Sequence, residues 1–330
     1  MLPWFNQGFP LYLAPMAGVT DAIFRQLAKE RGADVLVTEF VSAEGVFHRN
    51  ERTRRYLEFA ESQRPVGVQL FGGNPASMGR AARMVLDWVA PDFIDINFGC
   101  PVNKVVAKNG GSSLLKDCPL LEKVARAVVH AAAPAPVTAK IRIGWDSGSI
   151  NAVAVARLLE DSGIQALAVH GRTRAQGYSG RANWDVIGEV AAAVKIPVIG
   201  NGDLDCPAAV LACRERFGVA GAMIGRAAMA SPWLFEQCRA ALEGNHIPPE
   251  PSLRERWQFI LRHCELAVEA RGNERAAMSS MRARLMAYTK GLPESRSLRL
   301  ALSHVASLAE LREIAESCMA LGKACVPEFV

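Results

Sequence analysis

The sequence lacks the features that mark several large classes of protein. Its eight cysteines form no C-x-x-C pair and no Cys/His group with zinc-finger spacing; they stand at positions 100, 118, 206, 213, 238, 264, 318 and 325. No apolar run approaches the roughly 20 residues that a transmembrane helix needs. The segment MLPWFNQGFP lacks the basic and apolar regions of a signal peptide. We therefore expect a cytoplasmic protein with free thiols, no metal site and no membrane contact.

A strong charge imbalance is also missing, since the net charge of the 330 residues is only +5 and half of them are hydrophobic. This composition is ordinary for a soluble chain with a sizeable core. The basic residues are nevertheless uneven. Residues 275–299 contain Arg275, Arg282, Arg284, Lys290, Arg296 and Arg299 but only one acid, Glu294. Such a run is most often a solvated helix face, and the alternative is a phosphate-binding patch.

Short apolar segments alternate with helical patterns over the first 226 residues. Eight segments predict strands, namely LYLAPM, VLVTEF, VGVQLFG, FIDINFG, VTAKIRIG, ALAVHG, PVIGNGD and GAMIGR. Helices are predicted at 21–31, 77–89, 120–132, 152–162, 184–194 and 207–217. Apolar strands separated by helices are typical of a covered parallel sheet, and eight units predict a (β/α)₈ TIM barrel. The alternative, a doubly wound open sheet, would need a glycine-rich phosphate loop where the sequence reads APMAGVTD.

The pattern changes after residue 244. The proline-rich segment NHIPPEPS is typical of a linker, and only helical patterns follow it, at 253–270, 274–290, 298–303 and 308–321. We predict a barrel domain over residues 1–244 and an all-helical domain over residues 245–330, which contains the basic run.

Each predicted strand ends in polar or otherwise unusual residues. In a barrel of this kind the carboxyl ends of the strands meet at one face and supply the catalytic residues. In chain order the candidates are Pro15, Met16, Ala17, Glu39, Gln69, Asn97, Cys100, Lys140, Arg142, His170, Arg172, Asn201, Gly202, Asp203, Gly225 and Arg226. Any one of them has a structural explanation, but eight such strand ends together favour a site.

The last two strands end in NGD and GR, which suits a phosphate. Gly202 and Gly225 let the backbone approach closely, and Arg226 can add a charged contact. Lys140 can place positive charge beside an electron-rich ring or, as the alternative, form a Schiff base as in aldolases. The amide of Gln69 suits the edge of a flavin. The set favours FMN, because several polar residues at the rim would have no function in an aldolase.

Cys100 lies between a glycine and a proline at the end of the fourth strand. A lone cysteine is usually a packed small hydrophobe. A reduced flavin, however, delivers hydride to one carbon of a double bond, and the neighbouring carbon then needs a proton. A thiol on a loop above the ring can supply that proton, and the segment KNGGSS gives such a loop its hinges.

Taken together, these stretches resemble the bacterial tRNA-dihydrouridine synthases, flavoenzymes that reduce uridine in the tRNA D-loop. The matching stretches are LAPMAGVTDAIFRQL, VTEFVSAEGV, VQLFG, DINFGCPVNKVVAKNGGSSLLKD, AKIRIGWD, VHGRTRAQGYSG, VIGNGD and AMIGRAAMASPWLF. They follow the family's order over essentially the whole predicted barrel. The patterns D-x-N-x-G-C-P and H-G-R-T-x-x-Q-x-Y-x-G are highly specific.

The resemblance implies roles for most of these candidates. Cys100 is similar to the family's general acid, which protonates uracil C5 while flavin N5 gives hydride to C6. The implied flavin site contains Pro15, Met16, Ala17, Gln69, Lys140, His170, Asn201, Gly202, Asp203, Gly225 and Arg226. The implied tRNA contacts are Asn97 and Lys104 near the target uridine and Arg282 and Arg299 in the helical domain. The expected electron donor is NADPH, with NADH also possible, and we expect a monomer.

The helical domain resembles the family less closely. Where the family often has R-K-H-x-x-W-Y, this chain has RARLMAY, so that Arg282 and Tyr288 match and three positions differ. This difference leaves the orientation of the tRNA and the modified position open. Arg172 and Arg174 are further candidates for RNA contacts. The alternative functions are a small-molecule FMN reductase, similar to ene-reductases or dihydroorotate dehydrogenases, and a non-enzymatic RNA-binding protein.

Overall fold

A computed structural model describes residues 2–48, 51–102, 109–289, 292 and 295–324. The chain forms two compact units. The first comprises Met1–Gly225 and Leu234–Ile247, and the second comprises Arg226–Trp233 and Pro248–Val330. Residues 226–233, which precede the predicted boundary, thus belong to the second unit. The functions assigned to the two domains stay predictions.

The first unit contains a closed parallel barrel. Its strands are β1 (Leu11–Leu13), β2 (Val35–Val37), a short β3 (Val41–Ser42), β4 (Val66–Phe71), β5 (Phe93–Phe98), β6 (Val137–Arg142), β7 (Ala166–His170), β8 (Val198–Asn201) and β9 (Gly221–Ile224). β1 pairs with both β2 and β9, and β2 pairs with β4, which closes a ring of eight strands; β3 pairs only with β4. The predicted TIM barrel is confirmed, and the open doubly wound sheet is wrong.

Helices follow the strands around the barrel. They are α1 (Ala22–Glu30), α2 (Ala43–Phe47), α3 (Glu51–Leu57), α4 (Pro75–Val89), α5 (Cys118–Ala132), α6 (Ala152–Asp161), α7 (Trp184–Ala193) and α8 (Pro207–Phe217). The side chain before each of α1, α4, α5 and α7 accepts a backbone N–H from the first turn, and these caps are Asp21, Asn74, Asp117 and Asn183. A capping oxygen satisfies one of the unpaired N–H groups at a helix start.

The amino-terminal end of the barrel interior is apolar. Trp4, on a 3₁₀ turn (Pro3–Gln7), packs with inward-facing residues that include Tyr12 and Phe93, and its Nε1–H donates to Tyr12 Oη at 2.6 Å. Gly67 on β4 leaves room for Phe93, since a Cβ there would lie 2.2 Å from the ring. Side chains alternate across a strand, so Asp95, two residues after Phe93, lies on the same inward side.

The second unit is helical in the part that the structure describes. After α9 (Arg226–Ala230), and apart from α10 (Leu234–Leu242) of the first unit, it contains α11 (Leu253–Arg271), α12 (Glu274–Tyr288), α13 (Ser295–His304) and α14 (Leu308–Ala324). Ser252 and Glu255 form a reciprocal capping box at the start of α11. The predicted C-terminal helical region is confirmed. Within the described residues, no helix has the length and apolar character needed to span a bilayer.

Candidate active site

The barrel register brings the predicted polar residues into neighbouring positions. Asn97 on β5 pairs with Lys140 on β6, and His170 on β7 pairs with Asn201 on β8. All four stand at or next to the carboxyl ends of their strands. Parallel strands present these ends at one face, where TIM-barrel enzymes carry out chemistry. The structure thus collects residues that are more than 100 positions apart in sequence.

The side chain of Lys140 on β6 is held by Asn201 on β8. Its Nζ donates to Asn201 Oδ1 at 3.1 Å, while Asn201 Nδ2 donates to the carbonyl of Met223 at 2.7 Å. Burial and the positive charge of Arg142 lower the pKa of Lys140 to about 8. The ammonium group is therefore a fixed cation at neutral pH that loses its charge at mildly alkaline pH.

Cys100 is fixed through its backbone. Its N–H donates to Asn97 Oδ1 at 2.8 Å, and its carbonyl accepts from Ser112 Oγ at 2.8 Å. The residue is 7% exposed. Burial raises the pKa of the thiol, although Arg142 and Lys140 oppose that shift. The sulfur accordingly keeps its proton at neutral pH, as a general acid must.

A buried polar chain that the sequence analysis missed lies below this layer. Asn97 Nδ2 donates to Gln69 Oε1 at 2.8 Å, and Gln69 Nε2 donates to Asp95 Oδ2 at 2.7 Å. Thr138 Oγ1 donates to Asp95 Oδ1 at 2.5 Å. The amide of Gln69, predicted to contact a flavin, is hydrogen-bonded within the protein at both ends. Strand periodicity was the signal for Asp95, because Asp95 and Asn97 both follow Phe93 at a spacing of two.

Arg142 joins two loops at the carboxyl ends of the strands. Its guanidinium donates to the carbonyls of Gly99, Thr173 and Gly177 at 2.8–3.0 Å. The first carbonyl belongs to the loop of Cys100, and the other two belong to the loop after β7. The sequence places Arg142 at a strand end without indicating a role for it. These contacts give it a structural role, since it holds the two loops together.

The ends of β8 and β9 contain the two predicted phosphate glycines. Gly202 has φ +132°, and a Cβ there would lie 2.6 Å from Ala182 Cβ, so a side chain is excluded. The ends of β1 and β9 lie close together at Gly225. A Cβ added there would lie 3.5 Å from Ala14 Cβ and 3.8 Å from Met16 Sδ. Met16 is fixed by a hydrogen bond from its N–H to Thr20 Oγ1 at 2.9 Å.

Asp203 and Arg172 bind each other. Arg172 Nη2 donates to Asp203 Oδ2 at 2.8 Å, and the same oxygen accepts from the N–H of Ala182. The Arg172 side chain is 2% exposed and also donates to the carbonyls of Ser179 and Gly180. These partners give the buried guanidinium a structural role, and the RNA contact of Arg172 stays a prediction.

Some predicted residues lie outside the first unit or outside the described residues. Arg226 belongs to the second unit, as do Arg282 and Arg299, while Lys104 lies outside the described residues. Arg282 donates to the carbonyls of His304 and Val305 near the end of α13, whereas Arg299 is exposed. Tyr288, which matched the family pattern, is buried, and His263 Nδ1 lies 2.9 Å from its hydroxyl. Its side chain therefore packs within the helical unit.

The side chains at this face of the barrel include a thiol, an ammonium group and amides. Among the residues that the structure describes, no three His, Cys, Asp or Glu side chains are grouped to hold a metal ion. A protonated thiol, a cation, several amides and glycine-lined strand ends at one face of a barrel can bind a planar anionic cofactor and deliver a proton.

Solved structures resemble the barrel only in fold. A variant of NCR from Zymomonas mobilis matches with a TM-score of 0.52 and 16% identity, over 72% of this chain and 87% of that one. The old yellow enzyme from Trypanosoma cruzi matches with a TM-score of 0.51 and 12% identity, over 74% of this chain and 90% of that one.

Sequence relatives are much closer. The tRNA-dihydrouridine synthase B of Pseudomonas aeruginosa is 44% identical over 254 residues, which are 77% of this chain and 76% of the relative. The probable tRNA-dihydrouridine synthase 1 of Synechocystis is 36% identical over 314 residues, which are 95% and 87% of the two chains. The family model for dihydrouridine synthase (Dus) matches residues 12–324. This chain belongs to the dihydrouridine synthase family.

Proposed function

We propose that this protein is an oxidoreductase that reduces the C5=C6 bond of a uridine in the tRNA D-loop to 5,6-dihydrouridine, with FMN as cofactor and NADPH as electron donor. Family membership and the names of its relatives support the reaction and the tRNA substrate. The observation that carries the proposal is the placement of Cys100: its backbone N–H is held by Asn97, and Asn97 pairs with Lys140 across neighbouring barrel strands.

The residues at the barrel mouth fit FMN. Lys140 offers a sheltered cation for the electron-rich edge of a flavin ring, and Asn201 orients it. The backbone at Gly225 can approach a phosphate closely, with Arg226 next in sequence as the candidate for a charged contact. Pro15, Met16 and Ala17, at the end of β1, are the candidates for contact with the ring face. When bound, FMN supplies the hydride that the uracil needs at C6.

The protein itself supplies the proton. Cys100 Sγ–H donates to uracil C5 as hydride reaches C6, and the resulting thiolate regains a proton from solvent. Arg142 and Lys140 favour the thiolate electrostatically during this interval. Per turnover, one NADPH and one proton are consumed and one dihydrouridine forms.

Asn97 and His170 are the proposed contacts of the reacting rings. Asn97 is hydrogen-bonded by both ends of its amide, so its position is fixed before a substrate arrives. His170 is 8% exposed at the end of β7. Since the target base must leave its stack to reach such a site, we propose that the tRNA presents a flipped uridine.

The helical unit is the proposed tRNA-binding part. Arg299 is exposed on α13, and a guanidinium there can bind phosphate. We expect Arg299→Ala to weaken tRNA binding about threefold to tenfold at low salt and less at high salt. Arg126→Ala, an exposed charge on α5, is the matched control. Equal effects of both substitutions would assign the contribution to net charge.

Arg282→Ala gives a different expected result. Because Arg282 binds the carbonyls of His304 and Val305, its loss removes hydrogen bonds near the end of α13. We expect lower stability of the helical unit together with weaker tRNA binding. Weaker binding at unchanged stability would make Arg282 a direct RNA contact.

The central experiment is reconstitution. The purified protein is loaded with FMN and given NADPH and unmodified tRNA transcripts, and dihydrouridine is mapped by mass spectrometry. We expect FMN-dependent dihydrouridine in the D-loop, formed in equal amount to the NADPH consumed. A colourless protein that does not bind FMN would contradict the proposal. Reduction of cyclohexenone, or turnover of dihydroorotate, without any reaction of tRNA would favour the small-molecule reductase.

A further inference from the structure

The buried hydrogen-bond chain below Cys100 has a fixed direction. Asn97 Oδ1 accepts the N–H groups of Gly99 and Cys100 at 3.0 and 2.8 Å. A backbone N–H can only donate, so the oxygen of this amide must face the loop. Asn97 Nδ2 must then face Gln69, and it donates to Gln69 Oε1 at 2.8 Å.

Gln69 has a fixed orientation as well. Because its oxygen accepts from Asn97, its nitrogen faces Asp95 and needs an acceptor there. Asp95 Oδ2 provides one at 2.7 Å, and Asp95 Oδ1 accepts from Thr138 Oγ1 at 2.5 Å. A carboxylate presents acceptors on both oxygens, so it matches, at the inner end of the chain, the direction that the two backbone N–H groups require at the outer end.

The side chains of this hydrogen-bond chain are buried, so reversing its direction would leave polar groups without partners. Asp95 is 4% exposed and Gln69 is 0% exposed, so water cannot replace a lost partner without rearrangement. If Gln69 turned its amide over, its nitrogen would face the nitrogen of Asn97, and two donors would meet. Asn97 would then have to turn as well, and its nitrogen would face the N–H groups of Gly99 and Cys100.

We propose that Asp95 is a positioning residue for Cys100: by accepting from Gln69 it fixes the amides of Gln69 and Asn97, and Asn97 in turn holds the loop that carries the thiol. Asp95 does not touch the reacting atoms in this scheme. The catalytic part of the inference rests on the proposed function, whereas the structural part concerns the Cys100 loop alone. Burial raises the pKa of Asp95, and its hydrogen bonds from Gln69 and Thr138 oppose that shift.

The test compares two substitutions of Asp95 with a matched control. Asp95→Ala removes the acceptor, whereas Asp95→Asn keeps an oxygen that can accept from Gln69. Asp92→Ala is the control. Asp92 lies just before the same strand, where its Oδ2 accepts from the N–H of Val66. It has no hydrogen bond to the chain that ends at Cys100.

The first measurement is the alkylation rate of Cys100 by iodoacetamide in the folded protein, followed by mass spectrometry. The exposed thiol of Cys206 is the internal reference. We expect Asp95→Ala to change the Cys100 rate about tenfold relative to Cys206, the effect of about one misplaced hydrogen bond. We expect Asp95→Asn and Asp92→Ala to stay within about twofold of wild type, because both leave the acceptor for Gln69 in place.

The second measurement separates the two half-reactions of the FMN-loaded enzyme. Reduction by NADPH does not use the thiol, whereas reoxidation by tRNA does. We expect Asp95→Ala to slow reoxidation about tenfold or more and to leave reduction unchanged, the pattern of a misplaced proton donor. A merely structural role would slow both steps or release FMN.

Three results would overturn the inference: a wild-type alkylation rate in Asp95→Ala, equal slowing of both half-reactions, or a loss in Asp95→Asn as large as that in Asp95→Ala. If Asp95→Ala does not fold, Thr138→Val tests the chain from its other end, since valine has the same shape but cannot donate to Asp95. We then expect a smaller change at Cys100, about threefold, and no change would overturn the inference. Failure of the proposed function would appear as wild-type protein that makes no dihydrouridine, while the alkylation test still applies.

Discussion

The two ends of the barrel interior are built from the same alternation of side chains but for different purposes. At the amino-terminal end, inward positions hold Tyr12, Phe93 and their apolar neighbours, with Trp4 packed against them. At the carboxyl-terminal end, Asn97 lies on the same strand as Phe93, and Lys140 lies opposite it on the next strand. The first end contains the hydrogen bond between Trp4 and Tyr12, whereas the second contains the chain through Asn97 and Gln69 and the hydrogen bond between Lys140 and Asn201.

The difference shows at which end of the barrel polar groups are buried. A polar group taken out of water costs free energy unless its hydrogen bonds are replaced. The apolar end avoids that cost and stabilises the barrel. The polar end offsets it with hydrogen bonds among buried side chains, and Lys140 and Cys100 have shifted pKa values there. Perturbed groups of this kind are typical of functional sites.

The largest expected effect comes from the polar end. We expect Cys100→Ala to keep bound FMN and normal reduction by NADPH but to form dihydrouridine about 100- to 10,000-fold more slowly, since a general acid is lost. The measurement is single-turnover reoxidation of the reduced enzyme by tRNA.

Cys213→Ala is the matched control, because Cys213 is another buried thiol of the first unit, with its pKa raised by burial to about 12. We expect it to retain activity. Full activity of Cys100→Ala would remove the proton-donor role and, with it, the functional contrast between the two ends.

The next effect concerns charge. Lys140 has its pKa lowered to about 8, so it is charged below that pH and neutral above it. If the charge of Lys140 contributes to FMN binding, the affinity for FMN is highest below pH 8 and falls as the pH rises through that value. We expect Lys140→Met to weaken FMN binding about 10- to 100-fold at neutral pH, the value of a charged hydrogen bond.

Fluorescence titration of FMN measures both expectations. The pH series should stay above about 7, where the phosphate, with a second pKa of ~6, is already ionised. Wild type should show the alkaline loss and Lys140→Met a flat profile. A flat profile in wild type would mean that Lys140 serves the polar end in another way.

The smallest effect on function is expected at the apolar end. Tyr12→Phe removes the acceptor of Trp4 Nε1–H, which is then buried without a partner. We expect a loss of about 1–3 kcal/mol in the free energy of unfolding and no change in turnover. Urea denaturation and the reoxidation assay test the two parts. Slower turnover at unchanged stability would show that the two ends are not separate.

Much of the first unit was predictable from sequence. All eight barrel strands lie within the predicted segments, and α8 has the predicted bounds of 207–217. Continuous apolar runs flanked by amphipathic helices have few alternative arrangements, and a closed barrel then fixes which strand ends meet. The strand-end positions of Lys140, His170 and Asn201 could therefore be predicted from the sequence, whereas their roles stay predictions.

The partners of these residues were harder to predict, because a hydrogen bond depends on the neighbouring strand. Asp95 and Thr138 face each other only through the register of β5 and β6. Arg142 ends its strand and Arg172 lies just after its strand, like the other candidates. The guanidinium groups of both nevertheless donate to backbone carbonyls of loops. A position at a strand end shows where a side chain begins, but it does not show which backbone groups the side chain will hydrogen-bond.

The helical unit shows the same limit. Tyr288 matched a family pattern, but Met281, Leu285 and Tyr288 recur at helical spacing and share the buried face of α12. Periodicity was the better guide there. Arg282, one position from Met281, lies at the edge of that face and reaches the carbonyls near the end of α13.

The guanidinium of Arg142 also bears on how this protein can be redesigned. It holds a carbonyl from the loop of Cys100 and two from the loop after β7. If a chimera takes only one of these loops from another protein, the carbonyls of that loop will no longer match the guanidinium of Arg142. The positions of its N–H donors suit the backbones of both loops. Donor sequences for this rim should therefore be transplanted as a pair, with the arginine included.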